Sequence, residues 1–230
     1  MFWRFWDVKK YDHVISLGYN YEVSFQFFKK YKFVESSLFA WVNTETCQNL
    51  INALKHPDLL LSRGLREVEP MWLDIATGIS FHGKTKRDGL ETIEEIKQEL
   101  ISRIAYLKEK FFRTASDGKK NLYVFKYPPI TPVAGLDTAD RLHSDINWLY
   151  EALKDIVKND FDLLIILEKT FPKTSFDYDN LFVRYVDFYT PADRVTSKPY
   201  DKKSYDRIFS EFRPAFKLPK TKHFKFEAKD

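Results

Sequence analysis

The chain has 230 residues, of which 37 are basic and 33 acidic, for a net charge of +4. That length supports one good core. The mild charge gives no broad basic stripe, so nucleic acid is not an expected partner, and a single cysteine excludes both an intramolecular disulfide and a Cys-based zinc site.

No run approaches the ~18 apolar residues of a transmembrane span. The opening Met1-Phe2-Trp3-Arg4-Phe5-Trp6 is aromatic, and it is too short and too soon charged for a signal peptide. Residues 1–12 form a lead-in that packs on the domain or on a partner, or touches a membrane interface through its Trp residues. With Cys47 as the only thiol, a reducing, cytoplasmic setting is expected.

Val14 to Leu17 form a short buried strand ended by Gly18, and a helix opens at Glu22 with Val23, Phe27, Phe28 and Tyr31 at helical spacing. A strand followed by a Gly turn and a helix N-terminus gathers free N–H groups and a positive dipole end, which suits an anion or a developing oxyanion. Ser37-Leu38-Phe39-Ala40-Trp41 is a compact apolar turn. Thr44 is the expected N-cap of a helix from Glu45 to Lys55, ended by Pro57, and Cys47 falls within it as a packing residue.

Leu59-Leu60-Leu61 fits a helical turn or a short strand. Trp72-Leu73-Asp74-Ile75 and Ile79-Ser80-Phe81 are short strand candidates on either side of Gly78, and a polar segment over 84–89 follows. Leu90 to Thr114 predict the longest helix, with Ile93, Ile96, Leu100, Ile104, Leu107 and Phe111 stepping by three and four, acidic residues early and basic ones late. Asp117-Gly118 turns the chain into a strand over Leu122–Tyr127.

After Pro128, Pro129 and Pro132, Asp137 or Thr138 caps a helix to Lys158. Leu163-Leu164-Ile165-Ile166-Leu167 is a continuous apolar run, as in a strand covered on both faces of a parallel sheet. Leu181–Val186 is a further strand, Tyr205–Phe212 a short helix ended by Pro214, and 214–230 a basic tail. Strands and helices thus alternate with long crossovers, which predicts an α/β fold: a single open, mostly parallel sheet with helices on both faces, in one domain over 1–230.

The stretch Ile15-Ser16-Leu17-Gly18-Tyr19-Asn20-Tyr21-Glu22-Val23-Ser24 resembles the opening motif of a bacterial family of papain-like cysteine peptidases, Leu-Gly-x-x-Cys. That family follows it with a Pro-Phe-x-Trp type motif and, after a Gly, a Phe-His pair. Leu38-Phe39-Ala40-Trp41 matches the second, with Leu for Pro, and Gly78-Ile79-Ser80-Phe81-His82 matches the third. Phe182-Val183-Arg184 and Asp206-Arg207-Ile208-Phe209 are similar to the family's C-terminal part, so the resemblance covers most of the chain.

What the resemblance implies is a hydrolase or acyl-transfer domain, in bacterial surface-polysaccharide biosynthesis, acting on a small-molecule or glycan substrate. The place of the family's cysteine is held by Tyr21. A phenol, with a reference pKa of about 10, is a far weaker nucleophile than a thiolate at a helix N-terminus. Tyr21 and His82 are the catalytic candidates, expected as a hydrogen-bonded pair in which His82 is the base, and either Asp74 or Asp187 would orient His82.

Gly18, Asn20, Trp41 and Lys84 are candidate ligand-binding residues, with Lys86 and Arg87 beside Lys84. His13, His56, His143 and His223 are given no role, no metal site is expected, and no cofactor is indicated. Two other readings stand beside the enzyme. One is a non-catalytic module that binds a glycan, an activated donor or a partner enzyme. The other is a glycosyltransferase, for which Asp177-Tyr178-Asp179 has metal-motif spacing but lies in a loop.

Overall fold

In a computed structural model, the described residues are 8–32, 36–83, 92–129, 137–189 and 201–215. The aromatic residues 1–7, the polar segment with Lys84, Lys86 and Arg87, Leu90 and the tail beyond Ala215 lie outside them. Four strands, β2 (His13–Ser16), β7 (Asn121–Lys126), β8 (Phe161–Glu168) and β9 (Leu181–Val186), form an all-parallel sheet in the order β2-β7-β8-β9. The α/β class expected from the alternating pattern is what the chain adopts.

Period-two packing explains why the central strands are apolar throughout. Tyr123, Phe125, Leu163, Ile165 and Leu167 face one core, covered by α2 (Cys47–Lys55), α3 (Ile93–Thr114) and α4 (Thr138–Ile156). Leu122, Val124, Leu164 and Ile166 face the other, covered by α1 (Glu22–Tyr31) and α5 (Lys202–Glu211). Helices therefore lie on both faces of the sheet.

A second sheet lies between α1 and α3 in the chain. It is antiparallel, in the order β3-β6-β5-β4, from β3 (Val42–Thr44), β4 (Leu65–Val68), β5 (Met71–Asp74) and β6 (Ile79–His82). A two-stranded parallel ribbon pairs β1 (Lys9–Tyr11) with β10 (Phe212–Pro214). Pro214 thus closes a strand beyond α5 rather than the helix itself, and it has no N–H to leave unpaired there.

Helix starts follow side-chain caps. Thr92 and Glu95 make a reciprocal capping box on α3, and Asp137 Oδ1 accepts from Ala139 N on α4 at 2.7 Å. The cap of α2 is Thr46, whose Oγ1 accepts from Asn49 N at 3.2 Å; Thr44 instead ends β3. The helix consequently begins at Cys47, which lies in its first turn. Leu59 belongs to a single 3-10 turn, Pro57–Leu59.

Candidate functional site

The site is built on the turn between β2 and α1. Gly18 (φ 92°) and Tyr19 (φ 66°) are both left-handed, which reverses the chain within two residues. A Cβ on Gly18 would lie 2.8 Å from Val42 Cγ2, so only glycine admits the antiparallel sheet at this distance. The Tyr19 carbonyl accepts from Thr44 N at 2.9 Å, and Ser24 Oγ donates to Ala40 O at 2.7 Å. These bonds dock the second sheet against the edge of the first. Asn20 is buried, and its Oδ1 accepts from Glu22 N at 3.0 Å, which begins the helix.

Tyr21 follows as the residue before α1, at the C-terminal edge of the parallel sheet. Its ring meets His82 edge-to-face, with centroids 5.0 Å apart, and stacks on Trp41 at 6.1 Å. Tyr21, Trp41 and His82, distant in sequence, are therefore one aromatic cluster. The pair expected to share a hydrogen bond is instead in ring contact, and His82 Nε2 is buried with no hydrogen-bond partner among the described residues. His82 ends β6, where its N–H donates to Trp41 O at 3.3 Å and its carbonyl accepts from Arg103 Nη2. Burial, and then the Arg103 charge, push the imidazole below its usual 6.5, so the ring is neutral at pH 7.

Neither candidate carboxylate orients His82. Asp74 is fully buried and spends its oxygens on Leu61 N, Thr77 N and Thr77 Oγ1, which ties the turn between β5 and β6. Asp187 pairs with Lys169 beyond the end of β9. Cys47 is buried against α4, with Sγ 3.8 Å from Asp145 O, and desolvation raises its pKa well above the ordinary thiol value. It is a packing residue, as its composition in an apolar helix face suggests.

Beside the cluster lies a groove of about 610 Å³, whose wall includes Ser37, Trp41, His82, Arg103 and Tyr106. Among the described residues no group of acidic, His and Cys side chains could hold a metal ion, and no helix is long and apolar enough to cross a membrane.

A second polar cluster at the same sheet edge escaped the sequence reading. Lys126, at the end of β7, is fully buried and ion-paired with Glu22, also fully buried. Its Nζ lies 4.3 Å from the Tyr189 ring centroid and 5.1 Å from that of Tyr19. Burial lowers the lysine's pKa, and the Glu22 carboxylate acts in the opposite sense. The phenols of Tyr19, Tyr189 and Tyr205 are all raised, first by desolvation and also by Glu22. The available signal was a lysine inside the run Leu122–Tyr127, where a covered strand should carry no charge.

Comparison of the chain with family models, with curated proteins and with solved structures found no match.

Proposed function

We propose that the chain carries a papain-like hydrolase or acyl-transfer site in which Tyr21 stands in the nucleophile's place and His82 serves as base. The substrate class is an acyl group carried by a glycan, in bacterial surface-polysaccharide biosynthesis in the cytoplasm. The observation that carries the reading is the ring contact of Tyr21 with His82, two residues 61 positions apart that the resemblance assigns to the places of the family's Cys and Phe-His motifs. A neutral imidazole and a helix N-terminus beside the phenol supply the base and the dipole that acyl transfer uses.

In this reaction the phenol oxygen attacks the acyl carbon while Nε2 of His82 takes the phenolic proton. That proton passes to the departing alkoxide, and water or an acceptor hydroxyl then removes the acyl group from Tyr21. The imidazole must turn from edge-to-face contact to meet the hydroxyl, so ligand binding completes the pair. A second reading, a binding module without turnover, is favoured by the buried, unpartnered Nε2.

Turnover of simple aryl esters and of acetylated glycans by wild type, Tyr21→Cys and His82→Ala decides between them. The enzyme reading expects wild-type turnover lost in His82→Ala. Turnover only in Tyr21→Cys means that the family site persists without its nucleophile. Binding without turnover in all three overturns the catalytic reading.

A further inference from the structure

We propose that the groove beside His82 selects a ring-bearing carboxylate, with Arg103 as the residue that recognises its charge. This deepens the reading above and rests on it only for the groove being the substrate's seat. The volume, about 610 Å³, suits a ligand of one or two rings. Its wall offers flat aromatic faces, a half-buried Trp41 and a Tyr106 that is 58 % exposed on α3. Such faces take the apolar side of a sugar or an aryl ring.

Among the described residues, Arg103 is the only formally charged side chain on that wall, and no described carboxylate lines it. One guanidinium nitrogen, Nη2, is anchored on the His82 carbonyl, which fixes the plane of the fork and leaves its other N–H groups for a ligand. Glu99, one turn earlier on α3, lines a separate small recess with Arg103 and Gly83. Ser37 supplies a second, independent observation. It lines the groove, is 5 % exposed, and its hydroxyl has no hydrogen-bond partner among the described residues. A buried hydroxyl in that state is costly, and a ligand oxygen would satisfy it. A neutral His82 adds no second positive charge, so a single carboxylate is the matching anion.

The experiment is calorimetric titration of the full chain with a hexuronic acid disaccharide, its neutral methyl ester, and benzoate, in low and high salt. The expected result is a uronate bound about tenfold more tightly than its ester, the scale of one charge-assisted contact, with the gap narrowing in salt. Arg103→Gln removes the preference, while Arg103→Lys keeps part of it. Benzoate binding and displacing the uronate assigns the carboxylate to an aryl rather than a sugar source.

Equal affinity for uronate and ester, or binding of neither, overturns the proposal without any variant having to fold. Carboxylate preference with no turnover removes the catalytic reading alone. Turnover of neutral esters with no such preference removes this one alone.

Discussion

His82 couples the site to pH through its burial. The folded imidazole titrates below 6.5, while the unfolded one keeps that ordinary value. Well above 6.5 both states are neutral and the residue adds no pH dependence. As pH falls through 6.5 the unfolded chain binds a proton that the folded chain refuses, so stability drops, and the loss levels off below the folded pKa. The midpoint of thermal unfolding is expected to fall between about pH 7.5 and about pH 5 more in wild type than in His82→Gln; equal falls would remove His82 as the cause. Tyr21, Trp41 and His82 were each singled out in the sequence, and Tyr21 makes ring contact with both of the others. That neither Asp74 nor Asp187 orients His82 was not legible, because the groups that claim them, Leu61 N and Thr77 for Asp74 and Lys169 for Asp187, are placed beside them by folding.

Elements with long hydrophobic periods were the legible ones. β8, α3 and α4 lie where apolar spacing puts them, because each buries a continuous stripe or two faces, and β9 matches its predicted span although only Leu181 and Val186 in it are buried. In the antiparallel sheet, β5 and β6 fall on the two short strand candidates flanking Gly78, while β3 and β4, three and four residues long, were not read from the sequence because runs so short show little alternation. Local capping chemistry misplaced α2 by two residues, since Thr44 and Thr46 are equally good caps and strand pairing with β6 claims the first.

The capping box of α3 gives a direct test. Thr92→Ala is expected to lower stability by about 1 kcal/mol in denaturant titration, with no change in the slope. An unchanged midpoint would mean that the first turn contributes nothing. The outer strand β9 carries arginines on its carbonyls, one of its own and one from α5: Arg184 Nη1 donates to Val183 O at 2.8 Å and Arg207 Nη2 to Tyr185 O at 3.2 Å. Charged groups on carbonyls of an outer strand discourage a second chain from pairing there.

Across the whole molecule, two cores on opposite faces of one sheet carry the fold, and the buried Lys126–Glu22 pair ties the end of β7 to the start of α1. A pair of this kind is costly to break and cheap to replace, because one lone charge loses both water and partner. Lys126→Met alone is expected to cost about 3–5 kcal/mol, and the Lys126→Met, Glu22→Leu double variant much less. Equal losses in the single and double variants, in equilibrium unfolding, would show that the two charges are not coupled.

The docking of the small sheet has a consequence for the order in which the molecule comes apart. Tyr21 stands on the parallel sheet and His82 on the antiparallel one, and the bonds from Thr44 to Tyr19 and from Ser24 to Ala40 span the seam. The strands beyond that seam are short, while β7 and β8 lie deep between helices. An opening confined to the seam would separate phenol from imidazole while the larger sheet kept its helices, so the site is a local property of the seam, able to vanish and re-form without the fold being lost.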